Sequence, residues 1–249
     1  MITVFSFGSM GKLPDLSPFV TKVETYLRMT QRPYTKAFGD LRKAPHKKLP
    51  YIEDGGQVVA DSNAIVRYLQ TQYGDALDEG QLRAEQRATA AAWKSLFESD
   101  LYFVVTYSRW WHDEDFASYR PALQDYCRGL GAPRMVWPFI LTAARRGTKA
   151  QLIQQGTGRL SRDAIMEKGL ALLGAISDFL GDKPFFLGDR PSSLDATAYA
   201  FLSGILWAPF EGPLKSFTQG RPNLVAYCER MHEAYWQSGA STATPDRLC

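Results

Sequence analysis

The fold is decided by residues 48–69, which read KLPYIEDGGQVVADSNAIVRYL. Two short runs of β-forming residues, Pro50–Glu53 and Gln57–Ala60, flank the turn residues Asp54–Gly56. A glycine-containing turn between two such runs predicts a β-hairpin. Apolar residues then recur at helical spacing, so we expect a helix that Ser62 caps.

Residues further upstream predict the remainder of a mixed sheet. Residues 2–7 alternate and are rich in β-formers, and 34–38 form a second run of this kind. Between them, Ser17-Pro18 is typical of a helix start, with proline at the first helical position. A parallel strand pair needs a crossover helix, whereas hairpin strands are antiparallel. Residues 1–75 are therefore expected to form one α/β domain.

Helical patterns dominate the chain after Gly74. The segment Gly74–Gly80 is short and rich in small and acidic residues, so we place the domain boundary there. We expect helices at 81–111, 114–129, 134–146, 161–180, 192–207 and 221–237. Residues 81–249 are therefore predicted to form an all-helical second domain.

Composition excludes several classes of protein. Of 249 residues, 45% are hydrophobic and 22% charged, with a net charge of +3, which is ordinary for a globular chain and gives no basic stripe for nucleic acid. No run approaches the ~20 apolar residues that span a membrane. The cysteines, Cys127, Cys228 and Cys249, form no CxxC motif, and the three histidines have no metal-ligand spacing. We expect a cytoplasmic protein without a metal.

Four local features could form one binding site, although each has a plainer interpretation. Ser17 caps a helix, but its hydroxyl could also donate to a thiolate held by the helix dipole. Leu49-Pro50 opens an edge strand, or contains a cis peptide bond that aims backbone groups at an extended peptide. Asp61-Ser62 caps a helix, or binds the ammonium and carboxylate of an amino-acid terminus. Lys48 is solvated, or neutralises a second carboxylate.

These residues also carry a family resemblance. Residues 48–52, KLPYI, and 60–69, ADSNAIVRYL, resemble the glutathione-site motif of the glutathione S-transferase superfamily. Residues 16–29, LSPFVTKVETYLRM, resemble the branch shared with metaxins and failed-axon-connections proteins, and residues 186–195, FLGDRPSSLD, resemble the family's capping box. The resemblance implies a thioredoxin-like N-terminal domain followed by an all-α domain.

The resemblance also implies roles for individual residues. Ser17 would activate the thiol of glutathione as co-substrate, and the glutathione-binding residues would be Lys48, Leu49, Pro50, Asp61 and Ser62. Lys47 departs from the glycine of many relatives. The long loop before Ser17 leaves Ser9 and Ser6 as alternative hydroxyls.

A second substrate would lie over the first long helix of the helical domain. Aromatic side chains recur there, and either form core or line a pocket for an apolar electrophile: Tyr102, Phe103, Tyr107, Trp110 and Trp111. We therefore expect a glutathione transferase that takes a hydrophobic small molecule, with a possible homodimer and no nucleic-acid or membrane partner. The alternatives are a non-catalytic metaxin-like scaffold and a carrier of hydrophobic ligands.

Overall fold

The computed structural model describes residues 1–209, 211–237 and 242–243. The N-terminal elements follow the predicted order, which confirms the thioredoxin-like fold class: β1 (Ile2–Ser6), α1 (Pro18–Met29), β2 (Tyr34–Phe38), β3 (Tyr51–Asp54), β4 (Gln57–Ala60) and α2 (Ser62–Tyr73).

The strands form one mixed sheet in the order β4-β3-β1-β2-β5. β1 pairs in parallel with β2, and in antiparallel fashion with β3, which in turn pairs with β4. The short strand β5 (Thr242–Ala243) pairs in parallel with β2. It was not predicted, since two residues are too few to show a strand periodicity. Residues 238–241 and 244–249 of the predicted second domain, including Cys249, lie outside the described residues.

The second part of the chain is helical, as predicted. Its helices are α3 (Ala84–Ser95), α4 (Tyr102–Trp110), α5 (Asp113–Gly129), α6 (Trp137–Gln155), α7 (Arg162–Leu180), α8 (Ser193–Leu206), α9 (Pro213–Gln219) and α10 (Pro222–His232). A π-helix, Leu96–Leu101, joins α3 to α4. Among the described residues, no helix has the length and apolar content that crossing a membrane requires.

Two helix predictions were wrong in detail. The helix expected at 134–146 continues through Gly147 to Gln155, because one glycine inside a helix costs only about 1 kcal/mol relative to alanine. Helix α9 was missed, since its seven residues make only about two turns, too few to show a clear helical periodicity.

Helix α1 lies between the sheet and helix α8. Ten consecutive residues of α1, from Val20 to Met29, are buried, although three of them, Lys22, Glu24 and Arg28, carry charge. Helix α1 is therefore covered by protein on every side. The N-terminus of α1, where Ser17 stands, therefore lies where the α/β and helical parts of the chain meet.

The capping box predicted at the start of α8 is present. The Asp195 carboxylate accepts from the Ser192 backbone N–H at 2.8 Å, and also from the Phe186 N–H at 2.9 Å and the Tyr227 hydroxyl at 3.2 Å. Burial raises the pKa of Asp195, while these donors oppose the shift. This one carboxylate thus ties α8 to the preceding loop and to α10.

Helices α5 and α6 form a hairpin whose first helix contacts the α/β part of the chain. The Tyr126 hydroxyl donates to the Gly39 carbonyl at 2.6 Å, and the Tyr119 hydroxyl donates to the Leu16 carbonyl at 3.5 Å. Phe116, Tyr119 and Leu16 belong to a second, smaller apolar cluster. The hairpin therefore covers the loop that precedes α1.

Candidate functional site

Three loops meet at one end of the sheet. The register pairs Phe5 of β1 with Tyr51 of β3, and Tyr51 with Ala60 of β4. The Phe5 and Tyr51 rings stack with centroids 4.1 Å apart. The loop after β1, the turn before β3 and the residue that follows β4 therefore share this end.

The width of this end suits a short peptide. Neighbouring strands lie ~4.8 Å apart, so β1 to β4 spans about 10 Å. Three extended residues also span about 10 Å. A tripeptide laid across β1, β3 and β4 would thus reach from the start of α1 to the start of α2.

Ser17 is the N-cap residue of α1, with Pro18 as the first helical residue, as predicted. Its side chain is half-buried and makes no hydrogen bond within the described part of the chain. Its backbone N–H donates to the Asp15 carboxylate at 2.9 Å. The hydroxyl is therefore held at the positive end of a buried helix, where it can donate to an anion.

Asp15 fixes the loop that carries Ser17. One of its carboxylate oxygens accepts from the N–H groups of Phe7 at 3.2 Å and Gly8 at 2.9 Å, and the other accepts from Ser17. Burial raises the pKa of Asp15 to about 7, although Lys36, 4.0 Å away, opposes the shift. This clamp joins the two ends of the loop and was missed, because a single aspartate in a loop has no pattern.

The Asp15 pKa predicts a pH-dependent stability. An aspartate titrates near ~3.9 in the unfolded chain, so the folded chain binds more protons between pH ~4 and ~7 and loses stability as pH rises through that range. Asp15→Asn removes this titration. Urea unfolding at pH 5 and pH 8 should show the variant gaining roughly 2 kcal/mol relative to the wild type at the higher pH. A difference that does not change with pH would contradict the assignment.

The two alternative hydroxyls lie in different surroundings. Ser6 is buried, and its hydroxyl donates to the Ala37 carbonyl of β2 at 3.3 Å. Ser9 is exposed, in the loop between β1 and Leu13. Only Ser17 combines an unbonded hydroxyl with a position at a helix N-terminus.

The Leu49–Pro50 peptide bond is cis, which is the second of the two alternatives left open by the sequence. Leu49 is buried, with 7% of its surface exposed. Its backbone N–H and carbonyl make no hydrogen bond with any described residue. These two groups match the donor and acceptor that an extended peptide would pair with.

The loop before this bond is exposed and has an unusual backbone. His46 and Lys47 have φ of 55° and 51°, in the left-handed region that favours glycine. The backbone at Lys47 is thus one that a glycine would adopt. The Lys48 ammonium is exposed and makes no ion pair with the described carboxylates.

Helix α2 begins differently from the prediction. Asp61, with φ 73°, is the N-cap, and its carboxylate accepts from the N–H groups of Asn63 at 2.9 Å and Ala64 at 3.0 Å. Ser62 is the first helical residue and is buried. Asp61 is exposed, so its second carboxylate oxygen faces water and can pair with an ammonium.

A buried ion pair between Lys22 and Glu98 contacts the Ser62 hydroxyl. The Lys22 ammonium donates to the Ser62 hydroxyl at 3.2 Å, to the Asn63 side-chain carbonyl at 2.7 Å and to the Glu98 carboxylate at 2.6 Å. The Asn63 amide donates to the other Glu98 oxygen at 2.6 Å. Burial lowers the pKa of Lys22, and Glu98 opposes that shift.

This ion pair joins the two parts of the chain. Lys22 lies on α1, whereas Glu98 lies on the π-helix between α3 and α4. Because Lys22 donates to Ser62, the hydroxyl hydrogen of Ser62 remains available for a ligand carboxylate. Sequence analysis missed the pair, since the only local signal is a lysine among the apolar residues of α1.

The five aromatic residues of α4 and its C-terminal end do not line one surface. Tyr102 packs against Phe19 of α1, with ring centroids 5.0 Å apart. Trp110 packs against Phe116 of α5 at 5.5 Å. These two rings face the start of α1 and the loop before it.

The remaining three aromatic residues have other neighbours. Phe103 contacts Tyr102 edge-on at 5.1 Å, and Tyr107 stacks on Trp111 at 5.1 Å. The Lys149 ammonium of α6 lies 5.3 Å from the Trp111 ring. Tyr107 and Trp111 therefore pack within the helical part of the chain, away from the sheet.

The residues that the structure describes contain no candidate metal-binding site. Within 1–209, 211–237 and 242–243, no three His, Cys, Asp or Glu side chains are grouped so that they could hold an ion. Cys127 and Cys228 are buried free thiols, and burial raises the pKa of each.

Family models match both parts of the chain. The glutathione S-transferase N-terminal domain matches residues 18–116, and the glutathione S-transferase C-terminal domain matches residues 170–231. Residues 117–169, most of the α5–α6 hairpin, lie between the two matches.

Curated relatives extend the similarity over nearly the whole chain. The isoprene-epoxide–glutathione S-transferase of Rhodococcus sp. (strain AD45) is 37% identical over 241 residues, 94% of this chain and 99% of that protein. Failed axon connections of Drosophila melanogaster is 35% identical over 94% of this chain and 57% of its own length. Human metaxin-1 is 27% identical over 98% of this chain and 53% of its own length.

Solved structures have the same fold at low identity. Glutathione transferase GSTFuA3 from Phanerochaete chrysosporium matches with a TM-score of 0.62 and 17% identity, over 94% of this chain and 96% of that one.

Proposed function

The chain belongs to the glutathione S-transferase superfamily, and from this premise we propose that it binds glutathione and conjugates it to a small apolar electrophile. One observation carries the proposal. The unbonded hydroxyl of Ser17 stands at the N-terminus of α1, at the sheet end shared with the free backbone of Leu49 and with Asp61-Ser62.

Each charged group of glutathione would contact either an oppositely charged side chain or a hydrogen-bond donor. The γ-glutamyl carboxylate binds the hydroxyl and backbone N–H of Ser62, and its ammonium pairs with Asp61. The cysteinyl backbone pairs with the N–H and carbonyl of Leu49 beside Pro50. The glycine carboxylate interacts with the exposed ammonium of Lys48.

The sulfur then faces α1. Ser17 donates its hydroxyl hydrogen to the thiolate, and the dipole of α1 adds to the stabilisation. Because Pro18 has no N–H, the backbone donors nearest this end are the N–H groups of Phe19 and Val20. A hydrogen bond to a charged group contributes roughly 1.5–3 kcal/mol. The pKa of the bound thiol would therefore fall by about 1–2 units.

We propose an epoxide as the electrophile, on the similarity to the isoprene-epoxide transferase. The thiolate sulfur attacks a ring carbon, so that a C–S bond forms while the C–O bond of the ring breaks. Both electrons of that bond remain on oxygen, and the resulting alkoxide takes a proton from water. Tyr102 and Trp110, which face the start of α1, are candidate walls for the apolar part of the epoxide.

Two assays on the unmodified protein test the proposal. Titration calorimetry with glutathione should show one site of micromolar to millimolar Kd. Incubation with glutathione and a small epoxide should consume the thiol faster than the uncatalysed reaction. Absence of heat at millimolar glutathione would contradict the proposal.

A non-catalytic scaffold is the second candidate, favoured by the similarity to Failed axon connections and metaxin-1. It predicts no glutathione binding. A carrier of hydrophobic ligands predicts tight ligand binding without thiol consumption. The glutathione calorimetry and the conjugation assay separate the transferase from the other two functions, and calorimetry with a hydrophobic ligand separates the carrier from the scaffold.

We also propose a cytoplasmic location, which the buried free thiols of Cys127 and Cys228 support. The homodimer that the family resemblance implies stays a prediction.

A further inference from the structure

An exposed apolar surface lies on α6 and the turn before it, outside the site described above. In the described part of the chain, eight large hydrophobic side chains are well exposed, and six of them fall between residues 135 and 160. Met135 is 86% exposed and Phe139 is 75% exposed. The other four are Val136, Ile140, Ile153 and Leu160. Single exposed apolar side chains are common, but such a concentration indicates a surface that another body covers.

The geometry of α6 arranges much of this surface in one line. The buried residues of the helix form the side that packs against the rest of the chain: Trp137, Leu141 and Leu152. The opposite side carries exposed apolar residues at helical spacing, here called the apolar stripe: Phe139, Ala143, Ala150 and Ile153. At 1.5 Å per residue, the stripe is about 21 Å long. Met135 lies in the single turn of 3₁₀ helix that precedes it.

The same part of the chain is basic and contains no acidic residue. Residues 126–162 include seven Lys or Arg and no Asp or Glu, whereas the rest of the chain has 22 Lys or Arg and 26 Asp or Glu. The net charge of +3 therefore combines a segment of +7 with a remainder of −4. This asymmetry, which the near-neutral balance of the whole chain hides, indicates a negatively charged partner.

Three exposed arginines are distributed along the apolar stripe. Arg134 precedes the stripe at one end, and Arg146 lies within it. At the other end, the Arg159 guanidinium donates to the Ile153 carbonyl at 2.8 Å. None of the three forms an ion pair with a carboxylate of the described residues, whereas the other arginines of the segment each do: Arg128, Arg145 and Arg162.

A second copy of the chain fits this surface poorly. In a symmetric dimer the same surface faces itself, so two segments of +7 would meet without a carboxylate from either. Like charges that face each other across an interface repel. An anionic partner is therefore favoured over self-association.

We propose that this surface binds the anionic face of a lipid bilayer, with α6 lying parallel to it. Met135, Phe139 and Ile153 insert below the headgroups, and the three arginines contact lipid phosphates. An apolar helix face accompanied by cations is typical of helices that lie in the membrane interface, and anionic lipids attract cations close to the surface. A protein partner would need a pocket shaped to each projecting side chain, whereas a fluid bilayer accommodates any shape.

The surface is independent of the site at the end of the sheet. It shares no residue with the proposed glutathione site, so the proposal does not rest on the proposed function. The expectation of no membrane partner rested on the lack of a run long enough to span a bilayer. A helix that lies on the bilayer needs no such run.

Co-sedimentation of the full chain with vesicles tests the proposal. Vesicles of equal parts phosphatidylcholine and phosphatidylserine should bind the protein at least about tenfold more tightly than vesicles of phosphatidylcholine alone, because only the former attract the arginines. Raising the salt concentration to about 1 M should remove most of this difference, since it screens exposed charges. Both measurements use the wild-type protein.

Variants then locate the contact. Phe139→Ser should weaken binding to the anionic vesicles about tenfold, because a large apolar side chain no longer leaves water. The matched control is Val58→Ser, which removes an exposed apolar side chain from β4. The control should bind like the wild type, and both variants should keep the wild-type urea midpoint, since both positions are exposed.

A second pair of variants tests the charges. Arg134→Gln with Arg146→Gln should weaken binding at least about tenfold. Lys43→Gln with Arg67→Gln removes the same charge from exposed positions elsewhere and should bind like the wild type.

Three results would overturn the proposal. The first is equal vesicle affinity of Phe139→Ser and Val58→Ser. The second is loss of self-association in Phe139→Ser without any change in vesicle binding, which would assign the surface to a second copy. The third is binding of soluble polyglutamate by a protein that leaves anionic vesicles unbound, which would assign the surface to an acidic polypeptide.

Discussion

Glu98→Ala is expected to lower the free energy of unfolding by about 3 kcal/mol. The substitution leaves the Lys22 ammonium, which is 1% exposed, with only the neutral oxygens of Ser62 and Asn63 as partners. A buried charge that loses its counter-ion is among the costliest single changes in a protein. Urea unfolding at neutral pH measures the loss.

A nearby carboxylate provides the matched control. Asp100 lies two residues after Glu98 and pairs with Lys168, but both side chains of that pair are well exposed. Asp100→Ala should therefore cost less than 1 kcal/mol. The double variant Lys22→Met with Glu98→Leu should recover most of the stability, because it removes both charges together. Equal effects of Glu98→Ala and Asp100→Ala would refute the role given to the buried pair.

Ser17→Ala is expected to reduce glutathione conjugation about 10- to 100-fold at neutral pH. The variant loses the hydroxyl that we propose as the donor to the thiolate, but it keeps the backbone N–H that donates to the Asp15 carboxylate. The pKa of the bound thiol should rise by about 1–2 units, which a pH titration of thiolate absorbance measures. The Kd for glutathione should change less than turnover, since the other contacts remain.

Ser9→Ala provides the comparison for this experiment. It removes the same atom from an exposed loop position and should leave both turnover and the thiol pKa unchanged. Unchanged turnover in Ser17→Ala, or a loss in Ser9→Ala instead, would assign the role to another hydroxyl.

The local features of the fold were predictable from the sequence. The hairpin at Asp54–Gly56, proline after Ser17 and the Ser192–Asp195 capping box are each set by residues within four positions of one another. Such patterns require particular backbone angles or hydrogen bonds. The parallel pairing of β1 with β2 was predictable as well, because the two strands are joined by a crossover helix.

The missed features depend on residues far apart in the chain. Lys22 and Glu98 are 76 positions apart, and no local pattern indicates that a lysine inside α1 meets a carboxylate on a π-helix. The predicted N-cap of α2 was Ser62, one residue after the observed N-cap Asp61, because Asp and Ser are equally good N-caps. The aromatic residues of α4 share a spacing but face different neighbours, which only the packing of α1, α5 and α6 decides.

A crystal structure of the protein with glutathione tests the central claim most directly. We predict that the peptide lies across the end of β1, β3 and β4, with its cysteine paired to Leu49 and its sulfur within ~3.5 Å of the Ser17 hydroxyl oxygen. A sulfur beside Ser9, or a tripeptide bound away from Leu49 and Ser62, would contradict the account.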